Sequence, residues 1–340
     1  MAIIVPQPTN MLPNYIHTCE DSRHDSSWEV SMRLLSLVLA AVFSTFAWAA
    51  PPRLHNDAMA FADFWDANHD KPPAEQLAAF KTVVAPTFPT FYKAERVPNF
   101  LTAAQYDERI ATAVQEFPTI RMAYVRKAQQ FGAQLPGYMA SFKATFADFE
   151  PPNDIYVVHS LGEMDGGMRP IDGKDTLIFG IDRMVKEHGD GNESAFFHHE
   201  LFHHYHLPRV AECGTNSVWS SLWVEGLATY VSHVLNPQAN EKELLLTSPD
   251  DMAARTRAVL PAALADLDNA LGKDDAQTYA NLFMKRGTDA MPRRRGYYLG
   301  YLVAQEAGKT RDVRQLANMS CDDVKPLVFA TVHRLRENAR

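Results

Sequence analysis

The chain has 340 residues, of which 46% are hydrophobic, 22% charged and 11% aromatic, proportions of a globular protein with length enough for a sizeable core. The formal net charge of -8 and the lack of any Lys/Arg-rich run exclude nucleic acid as the main partner, because phosphate binding needs a basic footprint. One large domain or two modest ones fit the length.

Residues 1–31, with "PQPTN" and "CEDSRHDSSWE", are polar and unlike the start of an export signal, so Met32 is the expected first residue and the stretch before it a non-native extension. From Met32-Arg33 the chain runs through apolar residues Leu34 to Phe46 and closes on Ala47-Trp48-Ala49. This is the pattern of a signal peptide over 32–49, with cleavage after Ala49. A spanning helix needs about 20 apolar residues, more than this run supplies, so no stable membrane span is expected after cleavage. The expected location is periplasmic or secreted. Cys19 lies in the doubtful extension, which leaves Cys213 and Cys321 either to pair across a long loop or to stay as two free thiols.

Over 50–150, starting at about His55, "AMAFADFWDANH", "AEQLAAFKTVV", "AAQYDERIATAVQEF" and "IRMAYVRKAQQFGAQL" carry apolar residues at helical spacing, with Pro or Gly between them. The spacing predicts a set of antiparallel helices. Pro151-Pro152 marks a boundary, since the residue before a proline is pushed out of the helical region. In 151–235, "DIYVVHSLG" and "TLIFGID" read as strands around a turn-rich loop, "EMDGGMRPIDGKD", and "TLIFGID" is the candidate edge strand for an extended peptide. Helix resumes through the histidine segment and "SSLWVEGLATYVSHVL", until "NPQAN" breaks it. The remaining stretch, 236–340, is again mostly helical. The expected fold class is α+β: mostly helical, with a short β-sheet before the histidine helix.

Within "SAFFHHELFHHYHLPRVAEC" lies His199-Glu200-Leu201-Phe202-His203, an HExxH pentapeptide. Four residues apart on a helix, His199 and His203 share one face and can present two imidazole nitrogens to one zinc ion. Glu200 is one step round, placed to act as general base on a water rather than as a ligand. A third protein ligand is needed. The run lacks the glycine and histidine of HExxHxxGxxH, with Arg209 in the last position, so the metzincin pattern is disfavoured. His206 reaches the metal only if the helix bends. Glu225, in "WVEGLATY" on the next helix, is the better third ligand and completes a His2Glu set around one Zn2+.

HExxH followed at this distance by "WVEGLATY", with small Gly226 and Ala228 beside the glutamate, resembles the gluzincin group of thermolysin-like and aminopeptidase N-like metallopeptidases. It is similar, more closely, to a bacterial family of predicted zinc-dependent proteases classed as a domain of unknown function. The resemblance runs from "FADFW", starting at Phe61, through the strand pair to "RGYYLGYLVAQ". It implies His199, His203 and Glu225 as ligands and Glu200 as base. In the aminopeptidase N-like branch a YxxG tyrosine stabilises the oxyanion, and Tyr297-Tyr298-Leu299-Gly300 matches with Tyr297 in that place. Tyr298 or Tyr301 can substitute, and a packed helix with core tyrosines is the competing reading.

Two positions depart from the relatives. The acidic residue that some carry four places after the ligand glutamate is Thr229 here, and "GEMDGGM", Gly162 to Met168, only loosely resembles the motif that binds a free substrate amine. Those glycines read more simply as a turn. His198 and His204 point away from the ligand face, His159 is placed to line a cleft, and His233 is two turns beyond Glu225 as a supporting partner. "MPRRRG", Met291 to Gly296, is either solvated surface or the source of an arginine that holds a substrate carboxylate or carbonyl. The expected function is therefore an exported zinc metallopeptidase acting on a peptide or protein. A non-catalytic zinc-binding envelope protein and a zinc hydrolase of a non-peptide amide are the competing readings.

Overall fold

The computed structural model describes residues 53–96, 101–189, 191–213, 217–285 and 288–339. The proposed signal segment, its cleavage point, Met32 as first residue and Cys19 lie outside them. The described residues begin with a strand where the helical spacing starts. β1 (Arg53–Asn56) is followed by α1 (Ala58–Asn68), α2 (Pro73–Val83) and α3 (Ala103–Thr145). Region 50–150 is thus not wholly helical: β1 pairs in parallel with β2 (Asp154–Val158), about a hundred residues later, a partnership that local periodicity does not display.

The two helical stretches expected at 103–117 and 120–135 form one helix of 43 residues, Ala103–Thr145, with Pro118 and Pro136 inside it. Its start is a capping box, in which the Thr102 hydroxyl accepts the Gln105 N–H while the Gln105 side chain accepts the Thr102 N–H. A proline leaves the carbonyl four residues earlier without its helical donor. At Pro118 that carbonyl is Val114, and the Trp65 indole of α1 donates to it at 3.0 Å. A tertiary hydrogen bond therefore satisfies the group that the proline orphans, and the helix continues.

Two further strands, β3 (Gly166–Ile171) and β4 (Lys174–Gly180), form a hairpin across Asp172 and Gly173, both with positive φ (49° and 74°), as a tight two-residue turn requires. The strand order is β1-β2-β4-β3, parallel except for the antiparallel β3. This corrects the edge assignment. "TLIFGID" supplies β4, which is paired on both sides, and its Leu177, Ile178 and Phe179 are fully buried, as a central strand demands. The outer strand is β3, drawn from residues that read as loop. Its Pro170 carries no N–H, which suits an edge.

Beyond the sheet the chain is helical: α4 (Ile181–His188), α5 (Ser194–His206), α6 (Val218–Leu235), α7 (Met252–Ala258), α8 (Leu260–Ala270), α9 (Ala276–Phe283), α10 (Arg295–Ala307), α11 (Val313–Ala317) and α12 (Cys321–Asn338). The fold is α+β and mostly helical, with one small sheet ahead of the HExxH helix. Among the described residues no helix is long and apolar enough to cross a membrane. Cys213, in the 3-10 segment after α5, forms a disulfide with Cys321 at the start of α12, with Cα atoms 5.1 Å apart.

Helix α5 is buried on nearly every side. An aromatic layer of Phe142, Phe146 and Phe149 packs against its Phe202 and Tyr205, while Phe179 of β4 packs against Phe196 and Phe197. A helix enclosed this way has no solvent face, so its polar side chains need partners or a role. His198 has partners: Ser141 Oγ and the Tyr138 carbonyl at Nε2 (2.8 and 3.0 Å), and Asn236 at Nδ1 (2.8 Å). It ties α3, α5 and α6 together.

Candidate metal centre

The HExxH spacing does on α5 what helix geometry requires. The Nε2 atoms of His199 and His203 lie 3.0 Å apart, and Glu225 Oε2, delivered by α6, is 3.5 Å from the first and 3.3 Å from the second. These three are the metal-competent group found among the described residues, with ligand atoms all within 4.8 Å of one another. All three side chains are buried, and Glu225 Oε2 has no hydrogen-bond partner. Tetrahedral zinc with bonds near 2.0–2.1 Å sets its ligand atoms roughly 3.3 Å apart. The observed edges fit that, and the donor set of two imidazoles and a carboxylate is one zinc accepts.

Glu225 reaches this position because α6 crosses α10 at backbone contact. A Cβ placed on Gly226 would lie 2.2 Å from the Gly300 carbonyl carbon, and one on Gly300 would lie 2.4 Å from the Leu222 carbonyl oxygen. Only glycines permit that approach. On the other side, Ser232 Oγ donates to the Ala195 carbonyl at 2.6 Å, fixing α6 on the start of α5.

Electrostatics set the four carboxyl and imidazole groups apart. Burial alone would raise Glu225, yet the charge of His203 and the two imidazoles facing its carboxylate outweigh it and hold the carboxyl well below its ordinary range. Burial works against charge on His203, but Glu225 outweighs it and raises the imidazole. Burial pushes His199 down to about 4. Glu200 is fully buried, and among the described residues neither carboxylate oxygen is hydrogen-bonded; burial first, then the charges of Asp165 and Glu225, push it up to about 8 against the pull of His203 and Arg169. A carboxyl with no partner, poised near neutrality beside two imidazoles, is equipped to take and return a proton.

Tyr297, at the start of α10, is buried, and burial together with the charge of Glu225 drives its phenol well above the ordinary value. Tyr298 instead faces Arg257, 5.3 Å from its ring, and the Tyr301 hydroxyl meets His233 Nδ1 at 2.7 Å. Of the three tyrosines, only Tyr297 stands in electrostatic reach of the ligands, and His233 is engaged away from them. His206 is buried and stacked on Phe202 with ring centres 4.9 Å apart; it lies outside the ligand group, and neither ring nitrogen has a partner. Thr229 donates to the Glu225 backbone carbonyl at 2.9 Å, so no carboxylate supports the ligands from that position. His159 stacks on Phe61 at 3.7 Å and accepts the Leu161 N–H, which makes it part of the core rather than of this centre.

Compared with protein-family models, curated proteins and solved structures, the chain matches none.

Several further residues bear on the centre, two of them from stretches already quoted: Asp165 from "GEMDGGM" and Arg294 from "MPRRRG". Arg169 of β3 and Asp165 just before it act on Glu200 by charge, and Arg294 and Tyr279 act on the Glu225 side. Asp165 is held by His188, whose Nε2 lies 3.2 Å from its Oδ2; His188 Nδ1 is 2.8 Å from Glu193 Oε2, and Glu193 in turn pairs with Lys127. The four side chains of this network are buried and come from positions between 127 and 193. Only the fold lines them up. A cavity of about 530 Å³ lined by Lys127, Phe131, Asn192 and Glu193 opens at the network's far end, beside the start of α5.

Proposed function

We propose that the protein is an exported, zinc-dependent metallopeptidase of the gluzincin type. The observation that carries this reading is the convergence of His199, His203 and Glu225 from two helices, with the unpaired carboxyl of Glu200 beside them. His199, His203 and Glu225 would hold the ion. When bound, zinc supplies a Lewis acid that polarises a carbonyl and acidifies water.

The chain's own residues divide the remaining work. Glu200 takes a proton from the attacking water and delivers it to the leaving amine, a task suited to a carboxyl near neutrality. Tyr297 donates its phenol hydrogen to negative charge developing on the carbonyl oxygen, and the high pKa keeps that hydrogen in place. Edge strand β3, unpaired on its outer side among the described residues, offers main-chain groups to an extended peptide. The Cys213–Cys321 disulfide agrees with an oxidising compartment, and so with export through segment 32–49.

The test is metal analysis of the purified protein together with cleavage of an unstructured protein such as casein. Zinc at one per chain, and hydrolysis abolished by a chelator and by Glu200→Gln, are expected. Zinc present with no cleavage across a broad peptide panel would refute the peptidase reading.

A further inference from the structure

Three consecutive arginines, Arg293, Arg294 and Arg295, lead into α10, and two of them have carboxylates. Arg293 Nη2 meets Asp250 Oδ2 at 2.6 Å; Arg295 Nη2 meets Asp266 at 2.7 Å and Asp289 at 2.6 Å. Arg294 has none within ion-pair distance among the described residues, although only 3% of it is exposed. Its Nη1 donates to the Ser248 carbonyl at 3.2 Å, and its guanidinium carbon lies 4.2 Å from the centre of the Tyr297 ring. Among the described residues its Nε and Nη2 atoms have no hydrogen-bond partner.

Those two atoms form the side-on fork of a guanidinium. In this same molecule Arg121 uses its Nε and Nη2 to grip both oxygens of Asp66. In Arg294 the matching fork is buried, has no hydrogen-bond partner among the described residues, and is fixed at its other edge. Arg294 leads into α10, whose Gly300 meets Gly226 next to Glu225, and its charge acts on His199 and Glu225, so it lies on the side of the ligand cluster. Neither acid that it feels balances it: Glu225 belongs to the ligand set, and Asp165 is hydrogen-bonded to His188. A buried cation without an anion is costly, and a neutral carbonyl would leave the charge uncompensated. A planar carboxylate satisfies both the fork and the charge.

We infer that Arg294 is the specificity-determining residue of this centre and binds the free C-terminal carboxylate of a peptide, so that the protein acts on peptides near their C-terminal end. The inference rests on the metallopeptidase reading. Its readout is binding, which keeps the two separable.

The experiment uses zinc-loaded Glu200→Gln protein, which binds without turnover, and acetyl-trialanine as free acid and as C-terminal amide, with affinities from calorimetry. The acid should bind about tenfold to a hundredfold more tightly than the amide, the range of a charge-assisted bidentate contact. Adding Arg294→Gln should remove that preference, and Arg294→Lys, which keeps the charge without the fork, should leave only part of it. Adding Arg293→Gln should leave it intact. Equal binding of acid and amide, or no binding of either, overturns the inference and needs no Arg294 variant to fold. A preference that survives Arg294→Gln also overturns it, since the carboxylate would then sit elsewhere. Failure of the peptidase reading is read separately, from casein hydrolysis by the unsubstituted protein.

Discussion

Gly226 and Gly300 meet at the crossing of α6 and α10, where a Cβ on the first would fall 2.2 Å from the carbonyl carbon of the second. The contact is backbone against backbone, so no side chain can swing aside to make room. Gly226→Ala must push the helices apart, and it does so next to Glu225 on one helix and within a turn of Tyr297 on the other. The expected loss is about 1–3 kcal/mol of unfolding free energy, as for overpacking of a close-packed interior, together with a fall in hydrolysis. Urea unfolding and casein turnover measure the two. An unchanged urea midpoint would show that the crossing relaxes at no cost and does not set the position of Glu225.

The ligand assignment makes three variants diverge. Glu225→Ala removes the only ligand atom that α6 brings to the group and should leave protein with little or no zinc. Glu200→Gln keeps the shape of a side chain that touches no hydrogen-bond partner, so zinc should remain at one per chain while hydrolysis drops by at least about 100-fold. His206→Ala should leave zinc content unchanged, because His206 lies outside the ligand group. Elemental analysis after dialysis distinguishes them, and full zinc in Glu225→Ala would mean that the third ligand is another residue.

The meeting of His199, His203 and Glu225 was legible in the sequence because helix geometry is local: an i, i+4 pair on α5 fixes two candidate donors, and a helix returning after a short connection brings the third. The α+β class was legible from the same periodicities. Non-local closure was not. β1 finds its partner only across the 43 residues of α3, and the donor for the carbonyl that Pro118 orphans in α3 comes from Trp65, on another helix. "TLIFGID" reads as an edge because a strand's neighbours are invisible in its own residues, although Pro170 in the adjacent stretch marked the true edge. Likewise "MPRRRG" announces three cations, and nothing in it says which one lacks a carboxylate.

The disulfide closes a long loop, since Cys213 and Cys321 are 108 residues apart. In the chain-entropy account, a crosslink over a loop of that size stabilises by up to about 4–5 kcal/mol through the unfolded state. Reduction with dithiothreitol, or Cys321→Ser, should therefore lower the urea midpoint substantially. Neither cysteine belongs to the candidate ligand group, so zinc content at low urea should persist. A reduced protein with the oxidised midpoint would show that the bridge contributes nothing to stability.

The buried network of Asp165, His188, Glu193 and Lys127 gives a pH dependence whose sign can be worked out. Burial alone would lower His188, but its hydrogen bonds to Asp165 and Glu193 outweigh burial and raise it to about 9. In the unfolded chain the same imidazole titrates near 6.5. A group held more tightly to its proton when folded contributes stability that is complete below the unfolded value and is lost as pH rises through the folded one. The window is therefore from about pH 6.5 to about 9, and the size is of order 3 kcal/mol, because His188 is almost wholly buried and little screened. His188→Gln retains a hydrogen-bonding side chain and removes the titration. The stability gap between the unsubstituted protein and this variant, from urea unfolding at fixed salt, should be widest near pH 6 and shrink by pH 9. Comparing the two proteins at each pH cancels every other titrating group that they share. A gap that stays constant across the range would mean that His188 is not protonated between its two carboxylates, and that Asp165 is held by a neutral hydrogen bond alone.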